Sequence, residues 1–209
     1  MRIVIDPSAP IGVQLAPAVQ VLRAHGVVGF PTDTLYGLAA DPRSEAALAR
    51  LRQLKGRAAD KTVALVAASL DQARDVAVFD GHALTLARRF WPGPLTLVVP
   101  ARPGLAEGVR SSTGRVGVRV PAHDVARALA QAFGFPITAT SANASGAAPT
   151  ADPDEVTTQL PALEWLIDAG RLAGGPPSTL VQVDGEHVEV LREGAVSRTR
   201  VLESLVPAR

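Results

Sequence analysis

The chain has 209 residues, 47% of them apolar and 20% charged, with a formal net charge of +1. That length allows roughly 70% of the unfolded surface to be buried, enough for one large domain with a substantial core. The near-neutral balance is too even to imply a nucleic-acid coat or a membrane-surface protein by charge alone, and the lack of Cys excludes disulfides and thiolate zinc sites.

The first seven residues carry no long apolar segment, and no stretch reaches the roughly 18 apolar residues that span a bilayer. The expectation is a cytoplasmic protein with no signal peptide and no membrane partner. Over 14–25, Leu15, Val19 and Leu22 recur at helical spacing, and Gly26 stands where a C′ glycine would end the helix. Residues 27–30 form a short buried-strand pattern. Over 44–55, Ser44 can cap a helix whose apolar face is Ala47, Leu48, Leu51 and Leu54. A strand is predicted over 62–67, then helices over 70–76 and 81–90. Trp91-Pro92-Gly93-Pro94 reads as a rigid turn. Strands follow at 95–99 and 116–120, and Asp124 can cap a helix that runs through Phe133. A fifth strand spans 137–140. Later strands cover 165–168, 179–183 and 187–191, the last two flanking the hairpin signal Asp184-Gly185-Glu186. The tail over 197–205 reads as helical. Residues 144–153 and 169–177, rich in Gly, Pro and Ala, read as loops within one domain spanning 1–209. Strands alternating with helices imply an α/β fold, and the hairpin implies a mixed sheet.

Two strand exits are rich in polar side chains. The first is Pro31-Thr32-Asp33-Thr34-Leu35-Tyr36-Gly37-Leu38; the second runs from Pro136 through Thr140-Ser141-Ala142-Asn143-Ala144-Ser145-Gly146. Together they predict a polar crevice at the ends of a sheet, where open α/β sheets bind ligands. The second exit fits an ordinary turn with Asx and Ser bonds to backbone, or a cradle for phosphate or ribose oxygens. Lys55, Arg57 and Lys61 cluster after the 44–55 helix. A helix dipole alone would accommodate Lys55, whereas converging cations are what a triphosphate requires. The segment Gly56–Thr62 is not a P-loop, because Asp60 replaces the Gly before Lys and a strand follows rather than a helix. Arg115, Arg119 and Arg192 sit in or beside apolar strands. By alternation alone they face solvent, and Arg192-Glu193 reads as a surface ion pair of little worth. The four His residues stand alone, without triad or metal spacing, and Asp33 and Asp41, two carboxylates near the first motif, are weak evidence for acid–base pairing.

Taken in order, seven segments resemble the YrdC-like threonylcarbamoyl-AMP synthases. They are 31–38, Lys55-Gly56-Arg57, 91–96, Val118-Arg119-Val120-Pro121, 140–146, Ser178-Thr179 and Leu191-Arg192-Glu193-Gly194, and the resemblance covers residues 10–195. It implies the short, single-domain form: an α/β domain with a twisted mixed sheet, helices packed on it and a large positively charged cavity on one face. The implied reaction makes threonylcarbamoyl-AMP and pyrophosphate from L-threonine, bicarbonate and ATP. Partner proteins then pass the threonylcarbamoyl group to tRNA as N6-threonylcarbamoyladenosine, and weak binding of tRNA or double-stranded RNA belongs to the same expectation. The resemblance assigns Lys55 and Arg57 to catalysis. It assigns Lys55, Arg57, Lys61, Ser141, Asn143, Ser145 and Arg192 to ATP, and Thr34, Tyr36, Arg119, Thr140 and Ser178 to threonine. Arg119 would pair with the threonine carboxylate. Mg²⁺ is implied, bound mainly through ATP phosphates, with no protein metal site. The chain departs from the family pattern at Thr62-Val63, where Pro-Leu is usual, and at Glu193, which replaces Pro and sets a carboxylate beside Arg192. Two other readings share these residues: a module that binds RNA or a nucleotide without catalysis, and an acyl- or carbamoyl-phosphate enzyme on the same fold.

Overall fold

Side-chain alternation along short strands organises this molecule. The computed structural model describes residues 1–56 and 62–206. Among them the strands are β1 Arg2–Val4, β2 Val28–Pro31, β3 Tyr36–Ala39, β4 Ala64–Val66, β5 Leu95–Pro100, β6 Arg115–Arg119, β7 Ile137–Ser141, β8 Trp165–Asp168, β9 Thr179–Asp184 and β10 His187–Arg192. The helices are α1 Ile11–Gln14, α2 Ala16–Arg23, α3 Glu45–Lys55, α4 Leu70–Ala73, α5 Gly81–Phe90, α6 Asp124–Phe133, α7 Pro153–Gln159 and α8 Arg198–Glu203. The strands form one sheet in the order β1-β8-β2-β3-β7-β4-β6-β5-β9-β10. Pairs β1–β8, β2–β8, β4–β6 and β5–β9 are parallel and the remaining neighbours antiparallel, so the sheet is mixed.

Period-two alternation sends neighbouring residues to opposite faces. One face of the sheet carries Leu38, Leu65, Leu97, Val118, Val181 and Leu166, packed with Leu48 and Leu51 of α3 and Leu86 of α5. The other face carries Val28, Phe30, Ala39, Val66, Ile137 and Ile167. These meet Ala18, Val19 and Leu22 of α2 and Val125, Leu129 and Phe133 of α6. Only part of that second face is covered by helices, and this decides where a cavity can form.

Helix ends follow their local chemistry. Ser44 Oγ accepts from the Ala47 N–H at 3.2 Å, Glu45 occupies the first turn, and Gly56 ends α3 in the left-handed region at φ 60°. The predicted 14–25 helix contracts to α2, and a separate short helix, α1, precedes it. The end of α2 is a Schellman arrangement shifted by one residue from expectation: His25 takes the left-handed C′ position, and Gly26, at C″, donates to Val21 O at 2.8 Å. Asp124 is the first residue of α6 rather than its cap, and its carboxylate pairs with Arg127. Predicted 62–67 and 70–76 contract to β4 and α4. The 144–153 loop gives way to α7, capped by Asp152, whose Oδ1 accepts from Asp154 N–H at 2.9 Å. Strands β1 and β3 were not expected. β1 is short and pairs only with the distant β8, and β3 lies inside what reads as a polar motif. Gly185 and Glu186 make the two-residue turn between β9 and β10, with Gly185 at φ 58°. Among the described residues no helix is long and apolar enough to cross a membrane.

Candidate functional site

A cavity of about 480 Å³ lies on the half of the sheet face that α2 and α6 leave open. Its floor is the alternating set of four strands: Ala64 of β4, Thr96 and Val98 of β5, Gly117 and Arg119 of β6, and Leu180 of β9. The cavity therefore sits on the sheet's face, not at the strand ends. The reason is that residues 32–35 are a tight hairpin turn between β2 and β3 rather than an exit from the sheet. Thr32 Oγ1 donates to Leu35 O at 2.7 Å and accepts from the Thr34 and Leu35 N–H groups at 3.3 Å. The turn folds Thr32 and Thr34 over one edge of the cavity.

Opposite this turn stand Ser178 and Arg192. The Ser178 hydroxyl shares a hydrogen bond of 2.8 Å with Thr96, and Arg192 Nη2 donates to Ser178 O at 2.9 Å. Gly194 makes this wall feasible: a Cβ there would lie 2.1 Å from the Pro177 carbonyl oxygen, so no other residue lets the loop close onto 177–178. Glu193 does not pair with Arg192. Its carboxylate accepts from the Arg198 N–H at 3.1 Å, at the start of α8. Thr140 and Ser141 of β7 line a third side.

Arg119 corrects the solvent-facing expectation. It is 7% exposed, lines the cavity, and places Nη2 3.2 Å from Asp33 Oδ1. Burial works against its charge, the Asp33 carboxylate opposes that effect, and Arg192 adds to it. Arg115 also lines the cavity but is engaged on its far side, with Asp184 at 2.7 Å and Val183 O at 2.8 Å. An entering anion would meet Arg119 and Arg192, whose charges are only partly offset.

Tyr36 is among the residues that line the cavity, but its side chain is buried with Leu38 in the core, and its hydroxyl donates to Gly170 O at 2.7 Å and accepts from Ala169 N–H at 3.2 Å. Burial, with the Asp168 charge as a lesser contribution, pushes the phenol up to about 12, and the Ala169 N–H opposes the shift.

The remaining expected site residues behave differently. Lys55 is 5% exposed and does not line the cavity. Its Nζ donates to Ser141 O and, at 2.9 Å, to Asn143 O, so it fastens the 141–143 loop from behind. Asn143 is turned inward: its Nδ2 donates to Ala144 O and Ala147 O at 2.9 and 2.7 Å. Ser145 is exposed, and its N–H donates to Lys55 O at 2.8 Å. Arg57 and Lys61 lie outside the described residues. Sequence reasoning missed Thr32, Thr96 and Gly117 as cavity residues. For Gly117 the signal is periodicity: Arg115, Gly117 and Arg119 alternate with Val116, Val118 and Val120, so one side of β6 is apolar and the other is not.

The family model described as "Telomere recombination", for Sua5, YciO and YrdC, matches residues 20–194. The chain is 34% identical over 191 residues to a threonylcarbamoyl-AMP synthase of Bacillus subtilis, covering 90% of this chain and 55% of that protein. It is 37% identical over 183 residues to one of Vibrio cholerae, covering 86% and 97% respectively. Among solved structures, Sua5 of P. abyssi complexed with L-threonine superposes with a TM-score of 0.91 at 31% identity, over 98% of this chain and 61% of that one. This chain thus spans little more than half of the Bacillus protein and nearly all of the Vibrio protein. With the sheet, the cavity and these likenesses in agreement, the chain belongs to the Sua5/YciO/YrdC family.

Proposed function

We propose that this chain is a threonylcarbamoyl-AMP synthase. L-Threonine, bicarbonate and ATP give threonylcarbamoyl-AMP, pyrophosphate and water. The observation that carries the reading is that Thr34, Arg119, Thr140, Ser141, Ser178 and Arg192, scattered over more than half the chain, line one cavity. Its relatives bear that enzyme name, and the P. abyssi neighbour holds L-threonine.

The chemistry brings anions together: a carbamate oxygen attacks the α-phosphate as pyrophosphate departs. Unit charges 4 Å apart repel by about 4 kcal/mol at an effective dielectric near 20, so cations must precede geometry. Arg119 pairs with the threonine carboxylate, and Thr34, Thr140 and Ser178 shape the space around the amino acid, with Tyr36 beside them. Arg192 and Ser141 take the nucleotide's phosphate side, joined on the resemblance by Arg57 and Lys61. Lys55 and Asn143 serve by holding the 141–143 loop in place. Positioning and electrostatics dominate such transfers, so no dedicated base is required. Mg²⁺ enters with ATP, held by phosphate oxygens and water; among the described residues no group of three or more His, Asp or Glu lies together. The product's onward path is transfer by partner proteins to adenosine in tRNA.

Pyrophosphate release by the purified chain tests this. It requires ATP, threonine and bicarbonate together, and omission of any one abolishes it. Release that persists without threonine excludes the synthase reading, and nucleotide binding with no release points to a non-catalytic module.

A further inference from the structure

Both carboxylate oxygens of Asp33 are buried and accept no hydrogen bond among the described residues. Buried carboxylates without donors are costly and rare, so this one needs a reason. Its single close partner is the Arg119 guanidinium at 3.2 Å, near enough for an ion pair but not aligned for a hydrogen bond. The relation is reciprocal. Arg119 is itself buried, and Asp33 is the one ion-pair partner it has among the described residues. Asp33 sits in the 32–35 turn, which Thr32 locks through its hydroxyl. Thr32 and Thr34 on either side line the cavity, whereas Asp33 does not. The carboxylate thus reaches Arg119 from outside the space a ligand would fill. His123 also lies within reach of the Asp33 charge, and burial pushes its imidazole below its usual value.

We propose that Asp33 is the positioning residue of the amino-acid subsite: it braces Arg119 from behind, leaving the guanidinium's other N–H groups aimed into the cavity for a substrate carboxylate. The inference rests on the threonine reading of Arg119 given above. Asp33 touches no substrate atom and acts through Arg119 alone. A contrasting role, in which Asp33 occupies Arg119 in place of the substrate, predicts the opposite sign, because removing an occupant strengthens binding.

The test is equilibrium binding of L-threonine and of Mg²⁺–ATP, measured separately on the full chain by calorimetry, for wild type and Asp33→Asn. The expected result is a threonine Kd raised roughly tenfold or more, with the ATP Kd unchanged, since a charge pair acting through one side chain affects only the ligand that side chain holds. Asp33→Glu, which keeps the charge, recovers most of the affinity. If Asp33→Asn does not fold, Asp33→Ser, which admits water beside Arg119, carries the same expectation. Threonine affinity that is unchanged or improved overturns the proposal, as does an equal loss for both ligands. A wild-type chain that binds ATP but not threonine defeats the underlying threonine reading as well, which separates the two failures.

Discussion

One face of this sheet serves two purposes. Beneath α2 and α6 its outward positions are Val28, Phe30, Ala39, Val66, Ile137 and Ile167, and all are buried. A few strands away the same face presents Thr96, Arg115, Gly117 and Arg119 to a cavity. Pleat and alternation are the same in both regions. The difference lies in what covers them: where a helix packs, the positions are apolar and fill space; where none packs, small and cationic residues leave space and charge. On the proposed function, stability and ligand recognition separate along a single face, and substitutions in the two halves should have different signatures.

The largest effect belongs to the covered half. Leu129 of α6 is fully buried, and Leu129→Ala should cost about 2–5 kcal/mol in denaturant unfolding. The folded fraction should keep its KM for threonine; a raised KM would break the separation. Next comes the open half. At Gly117 a Cβ would lie 3.4 Å from both Ala64 Cβ and Thr96 Cγ2, so β6 tolerates a side chain there that projects into the cavity. Gly117→Val should lower threonine-dependent pyrophosphate release roughly tenfold, about 1.4 kcal/mol, while its unfolding midpoint stays near wild type. A destabilised but fully active variant would reverse the assignment of that region.

Thr96→Val sharpens the boundary, because it keeps shape and removes the hydroxyl bonded to Ser178. Since Ser178 is only partly buried and water can replace the bond, the expected stability cost is about 0.5–1.5 kcal/mol, with a selective rise in KM for threonine. A further prediction, outside neutral conditions, is a titration. Tyr36 is the sole tyrosine, and burial pushes its phenol up to about 12. The folded chain holds this proton more tightly than the unfolded chain, so the stabilisation is fully present below the ordinary tyrosine value of about 10 and is lost as pH rises toward about 12. Ultraviolet titration should show phenolate forming in that upper window, and formation at the ordinary value would mean that the phenol is open to solvent.

Much of the fold was legible because local chemistry and tertiary demand agree. α5 lies where helical spacing put it, Ser44 caps α3, and the β9–β10 hairpin turns at Gly185. The misreadings have two causes. β3 was hidden because Thr32 and Thr34, which belong to a hairpin turn, resemble the polar end of a strand, and β1 was hidden because its pairing with β8 is non-local. At the site, Thr34, Arg119, Thr140, Ser141, Ser178 and Arg192 were identified as a group, yet alternation alone turned Arg119 outward. Alternation specifies a face, and it cannot say whether that face meets water, a helix or a cavity.

From residue order alone came the alternation of helices and strands, the mixed character of the sheet and the family membership, since each is carried by spacing and short motifs along the chain. Tertiary structure decided that the cavity lies on the open half of one face, that Asp33 pairs with the buried Arg119, and that Lys55 secures the 141–143 loop instead of lining the cavity. The physical reason is that burial and pairing of charges depend on strands brought together from distant parts of the chain. No local pattern of residues records which neighbour will arrive.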